Sequence, residues 1–187
     1  MILKRQKGFT LMEVMVSMVI AILILLLISS TFILHQRVFR KSDNQAELTQ
    51  NARITTDFMS REIRQAKKIV TSLPPNNNNP QLLVDEILFE DGHVSDQIQY
   101  IRYYLNNREL RRQIIVYYFD TNPTLYVRHD DVNPFGPPTQ EVIEEKSIGE
   151  HFDELYFFGQ TTIGINITLS KNNQVIKMDS VINPRNI

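Results

Sequence analysis

Glu13 stands at the threshold of an unbroken apolar run, for no residue from Val14 to Leu34 is charged. Wound as a helix rising about 1.5 Å per residue, that run crosses a bilayer core of roughly 30 Å. A carboxylate on such a helix is costly at the bilayer centre and less so near the interface. Either something compensates Glu13, or the residue lies at the membrane edge and its carboxylate snorkels out.

The charge distribution divides the chain. Lys4, Arg5 and Lys7 make residues 1–8 basic, and Glu13 is the one charge in residues 9–35. Eight Lys/Arg face four Asp/Glu over 36–70, whereas nine face sixteen over 71–187. A basic rod thus precedes an acidic C-terminal domain, and an acidic domain is a poor phosphate binder, which argues against a nucleic-acid partner. With no cysteine in the chain, neither a disulfide framework nor a thiolate metal site is available.

The N-terminus admits three readings. A secretory signal peptide has an apolar core of about 7–15 residues and a small-residue cleavage site; this run is longer, and Ser29-Ser30-Thr31 matches A-x-A poorly. A plain anchor fits the length but leaves Glu13 unexplained, and Arg37, Arg40 and Lys41 nearly balance the leader charges that would orient it. The third reading uses every residue. KRQKG followed by FTLMEVMVSMVIAILIL resembles the leader and mature start of type IV pilin-like proteins, which carry a class III signal sequence.

In that family a membrane prepilin peptidase cuts after the glycine and methylates the new amine. The resemblance implies cleavage between Gly8 and Phe9, N-methylation of Phe9, and basic leader residues Lys4, Arg5 and Lys7. It also implies that Glu13 is the assembly charge, pairing with the N-terminal amine of an adjacent subunit. The chemistry is coherent. A glycine lets a protease approach the backbone, and a new amine with an ordinary pKa of roughly 7.7–8.0 attracts a carboxylate strongly where the dielectric is low.

Beyond Leu34, neither Gly nor Pro occurs until Pro74. Leu48, Ala52, Thr55, Met59, Ile63, Ala66 and Val70 form a mostly apolar stripe at helical spacing. This predicts one helix from about Phe9 to about Val70, on the order of 90 Å long. Its first part, residues 9–35, is the transmembrane and filament-core segment, and residues 36–70 are its amphipathic continuation. Ser29, Ser30 and Thr31 are poor helix formers that soften it locally. A coiled-coil dimer over 42–70 fits less well, because Ala and Thr occupy stripe positions where coiled coils use Leu, Ile or Val.

Residues 71–187 read as an antiparallel β domain with loops at 72–81 and 129–140. SLPPNNNNPQ stops the helix. Strand patterns follow in LLVDEILFED, in QIQYIRYYLNNRELRRQIIVYYF with a two-residue turn at Asn106-Asn107, and in TLYVR. EHFDELYFF, TIGINITL and VIKMDSVI complete the set, the last two joined through Lys171-Asn172-Asn173-Gln174. The helix stripe covers the apolar face of the sheet, so the fold class is α+β. TTDFMSREIRQA, the 97–113 hairpin, the final hairpin and the RNI terminus are similar in order to the larger J- or W-type minor pilins and pseudopilins.

No catalytic constellation emerges. His35, His93, His129 and His151 lack metal-ligand spacing, and no Gly-rich phosphate loop or serine nucleophile motif occurs. His129-Asp130-Asp131 is the best cation candidate against a solvated loop. Arg108, Arg111 and Arg112 form a basic cluster, read as alternate solvated charges on a strand face rather than a DNA patch. Tyr100, Tyr103, Tyr104, Tyr117 and Tyr118 read as sheet-face residues.

The expectation is therefore a structural subunit, not an enzyme: a minor pilin or pseudopilin with no cofactor, no metal and no small-molecule substrate. Its implied partners are prepilin peptidase, other major and minor pilins or pseudopilins, an inner-membrane assembly platform, and membrane lipid before assembly. Its implied location is the inner membrane, single-pass with an extracytoplasmic domain, then a cell-surface or periplasmic filament. The alternative is an uncleaved, single-span anchored binding or sensory module.

Overall fold

The computed structural model describes Gly8 and residues 10–79, 82–93 and 97–185. Lys4, Arg5, Lys7, Phe9 and the RNI terminus beyond Arg185 lie outside the described residues. The chain divides into two compact units, Met1–Asp43 and Asn44–Ile187.

In the first unit, α1 (Leu11–Gln65) opens as a helix with apolar side chains on every side. Every large apolar residue from Leu11 to Leu34 is exposed. Such a helix has no protein core of its own, and lipid is the solvent that suits it. Three of its hydroxyls bond back to the helix backbone. Ser17 donates to Glu13 O at 2.6 Å, and Ser30 and Thr31 each donate to Leu27 O at 2.9 Å. Helical geometry continues through residues 29–31, so the expected softening does not interrupt it.

In the second unit, α1 buries the predicted stripe: Leu48, Ala52, Thr55, Met59 and Ile63. The helix ends at Gln65, five residues before the expected Val70. Lys68–Ile69 instead forms a short strand, β1, opposite β2 (Ile87–Glu90), where Lys67 N–H donates to Glu90 O and Val70 N–H to Leu88 O. Those long-range hydrogen bonds outcompete one more helical turn. Ala66 stays in the core just past the helix end.

Two antiparallel sheets meet this helix face. The first runs from β1 through β2 to β3 (Tyr100–Asn106) and the long β4 (Glu109–Phe119), with β5 (Asn122–Val127) and β6 (Thr139–Gly149) also paired to β4. β7 (Phe152–Phe158), β8 (Ile163–Lys171) and β9 (Gln174–Ile182) form the second. Ile87, Phe89, Ile101, Tyr103 and Leu110 from one sheet join Phe157, Ile163, Ile165, Ile167 and Leu169 from the other in a single core with the stripe. The small stripe residues that a coiled coil would reject let the sheets approach closely. The end of β6 does so at Gly149, where an added Cβ would lie 2.5 Å from Thr55 Cγ2 and 2.7 Å from the Phe152 ring. Gly149→Ala is therefore expected to lower stability by roughly 1–3 kcal/mol through overpacking, read as a fall in the urea midpoint without a change in slope.

Several strand readings shift. The β3–β4 turn is Asn107-Arg108, with φ of 50° and 66°, one residue later than the expected Asn106-Asn107. Arg108 is drawn into the left-handed region by tertiary bonds: its guanidinium donates to Ser170 O at 2.6 Å and pairs with Asp153 at 2.7 Å. Asn172-Asn173 turns as expected, with φ of 49° and 64°. β6 is a strand that the sequence did not announce. It lies on one edge of β4, and its Glu141, Val142, Ile143 and Glu145 are all exposed, so neither of its faces is apolar. Charges on an edge strand discourage pairing with a further chain.

Candidate functional site

Glu13 sits in the first turn of α1, at the third helical position after Thr10. Thr10 N–H and Thr10 Oγ1–H both donate to Glu13 Oε2, at 2.9 and 3.0 Å, and Glu13 N–H donates back to Thr10 Oγ1 at 3.3 Å. This reciprocal arrangement is a capping box, which satisfies two otherwise orphaned donors at the helix start. The carboxylate also sits where the positive end of the helix dipole favours an anion. Thr10, the cap of this turn, is the residue that the sequence reading passed over. The signal was present, since Thr10-Leu11-Met12-Glu13 has the T-x-x-E spacing immediately before an apolar run.

Gly8 is exposed, and a Cβ added there would meet nothing within 4 Å. Among the described residues, no packing contact gives a reason for glycine at that position.

The remaining candidates are occupied by protein partners. Asp130 accepts from Lys68 Nζ at 3.0 Å, which holds its carboxyl below the usual range, and Asp131 accepts from Arg128 N–H at 2.8 Å. His129 packs on Tyr100 and Tyr117. Among the described residues, no group of three or more His, Asp or Glu side chains is placed to hold a metal ion.

The arginine cluster is not a row of solvated charges. Arg108 ties the β3–β4 turn to the second sheet, while Arg111 pairs with Glu109 and Glu145, both at 2.9 Å. Arg112 pairs with Glu62 of α1 at 2.9 Å and with Glu144 of β6 at 3.3 Å. With every guanidinium neutralised by carboxylates, the cluster offers little to a phosphate backbone.

Glu145 receives Arg111, Gln113 and Tyr104 as donors, and these hold its pKa down to about 2, against an ordinary 4.5. A depressed carboxyl stabilises the fold above its unfolded value and loses that contribution as pH falls through its folded value. The tie to β6 should therefore weaken between about pH 4.5 and pH 2. Urea midpoints across that window should fall less steeply in Glu145→Gln than in the wild type.

Residues 3–29 match the prokaryotic N-terminal methylation motif. Comparison with curated proteins and with solved structures returns no match. The motif is a class III signal, so the chain is type IV pilin-like at its N-terminus. It implies processing by prepilin peptidase and assembly with other pilins, and with the apolar part of α1 it describes a single-pass membrane-anchored protein.

Proposed function

We propose that this chain is a minor pilin or pseudopilin of the larger J or W type, cleaved after Gly8, methylated on Phe9, and assembled through Glu13 into a pilus-like filament or its initiating tip. The observation that carries the reading is the methylation motif over residues 3–29 ending in a lipid-compatible helix. Two details support it. Gly8 meets no packing neighbour among the described residues, and a glycine there suits an external enzyme that must reach the backbone. Glu13 is held by Thr10 at the start of the helix, four residues along the chain from the amine that cleavage would create.

In this reading residues 1–8 form the leader, 9–35 the transmembrane and filament-core segment, and 36–65 the continuation of α1 into the C-terminal domain. That domain is extracytoplasmic and docks on other subunits. The leader, with Lys4, Arg5 and Lys7, lies on the cytoplasmic side, where the peptidase removes it. An assembly platform and other pilins supply the rest of the machine.

Mass spectrometry of the protein recovered from its host tests this directly. The expected N-terminal peptide begins at a methylated Phe9. An intact Met-Ile-Leu-Lys terminus on the membrane-inserted protein would refute the reading and favour the uncleaved anchored module.

A further inference from the structure

The apolar span of α1 runs out into positive charge. Arg37, Arg40 and Lys41 follow Leu34 within two helical turns, and all three are exposed. Positions three and four apart share a helix face, so these side chains rise from one side of α1. Phe39 lies on the other side, its ring 6.3 Å from His35. Basic residues beyond a span weaken the bias that orients it, since they nearly balance Lys4, Arg5 and Lys7 of the leader. Their placement works against topology and needs another physical account.

Depth supplies one. The hydrocarbon core is roughly 30 Å thick and the whole bilayer roughly 40–45 Å, which leaves a headgroup layer of about 5–8 Å on each side. At about 1.5 Å per residue, Arg37 stands about 4.5 Å past Leu34 and Lys41 about 10 Å past it. Side chains of a helix lean toward its N-terminus, here back toward the membrane. Long basic side chains leaning that way carry their charged ends to the level of the lipid phosphates. Ile33 and Leu34 lie one turn earlier on the same side and are exposed, a surface for the acyl chains of the same lipid.

The protein leaves the two arginines available. Asp43 is the only carboxylate between Glu13 and Glu47, and among the described residues no ion pair holds Arg37 or Arg40. Arg102, Arg108, Arg111 and Arg112 of the C-terminal unit are all paired with carboxylates. A guanidinium fork matches phosphate oxygens with two parallel hydrogen bonds. An acidic protein surface would meet the same charges, but their level in the bilayer and the apolar surface beside them favour a phospholipid.

We propose that Arg37, Arg40 and Lys41 bind the phosphate-bearing headgroup of an anionic phospholipid, with Ile33 and Leu34 against its acyl chains. The site needs only that α1 spans a bilayer. It goes beyond the pilin reading and is indifferent to cleavage and to Glu13. In that reading it faces the non-cytoplasmic leaflet, where it fixes the depth of the span once the leader charges are gone.

Native mass spectrometry of the full-length chain in a neutral detergent, with equal phosphatidylglycerol and phosphatidylcholine of the same acyl chains, reads the preference. The parent chain carries Lys4→Gln, Arg5→Gln and Lys7→Gln, so that the leader adds no affinity for anions. It should retain phosphatidylglycerol several-fold more than phosphatidylcholine. Adding Arg37→Gln, Arg40→Gln and Lys41→Gln should bring the two lipids to equal retention. Adding Arg53→Gln, Arg61→Gln and Arg64→Gln instead removes the same charge from exposed positions farther along α1 and should leave the preference intact. Inorganic phosphate equimolar with the lipid should leave it intact too, because the acyl contacts belong to lipid alone. Equal retention by the parent chain would overturn the proposal in favour of an acidic protein partner. Persistence of the preference after the 37–41 changes, its loss after the 53–64 changes, or its displacement by inorganic phosphate would overturn it as well.

Discussion

Glu13→Gln is expected to be processed normally, to form its helix normally, and to be lost from the filament. The variant separates two roles that coincide at one side chain. Glutamine serves in a capping box as glutamate does, so Thr10 N–H and Thr10 Oγ1–H keep an acceptor at the position now held by Glu13 Oε2. The charge alone disappears. If capping were the whole purpose of Glu13, Gln would suffice and incorporation would match the wild type. If the carboxylate neutralises the methylated amine of a neighbour, an amide cannot replace it, because the attraction between opposite charges in a low-dielectric bundle has no counterpart for a neutral group. The readout is the fraction of mature subunit in sheared filaments relative to the membrane pool. Thr10→Val supplies the converse: it removes the hydroxyl from the box but retains the charge, and should impair incorporation less. Wild-type incorporation of Glu13→Gln would remove the pairing role and leave Glu13 as a helix cap.

Arg112→Ala should cost about 3–5 kcal/mol of stability, the usual consequence of removing one partner of a buried ion pair. Arg112 and Glu62 are only 11% and 14% exposed at their side chains. The guanidinium donates to Glu62 through Nε at 3.0 and 3.1 Å and through Nη2 at 2.9 Å. Tyr103 donates its hydroxyl to the same carboxylate; burial, with Glu62 beside it, pushes that phenol far above its ordinary value, so it stays a donor. Alanine would strand Glu62 between helix and sheet with one hydrogen-bond donor. Against a typical total of about 5–15 kcal/mol, such a loss brings the C-terminal unit near its unfolding threshold. Urea unfolding followed by the near-ultraviolet tyrosine signal measures it, since the chain lacks tryptophan. The triple change Glu62→Leu, Arg112→Met, Tyr103→Phe should recover most of the loss, because apolar groups of similar volume avoid the desolvation that the pair has to offset. A single-variant loss below about 1 kcal/mol, the range of exposed pairs, would show that the network contributes little.

Much of this architecture was legible because its signals are local. Leu48, Ala52, Thr55, Met59 and Ile63 repeat at the helical period, and all are buried on one side of α1. Ile163, Ile165, Ile167 and Leu169 alternate, and all are buried in β8. β6 was illegible because its partner, β4, lies more than 25 residues away for most of its length and no apolar face marks its position. At the N-terminus, Gly8, Glu13 and the apolar run were readable as a pattern. The hydrogen bonds of Thr10 were readable too, from the T-x-x-E spacing, but only their geometry distinguishes a satisfied carboxylate from a bare one.

What the sequence determined by itself is the membrane-compatible start of the chain, since apolarity, length and charge pattern are properties of consecutive residues that no later contact can change. The tertiary structure alone decided the fate of three neighbouring arginines. Arg108 bends a turn, Arg111 fastens an edge strand and Arg112 is sealed against a helix. They look alike in the sequence because the carboxylates that distinguish them, Asp153, Glu145 and Glu62, come from segments 34 to 50 residues distant along the chain, and such pairings exist only once the sheets have closed on the helix.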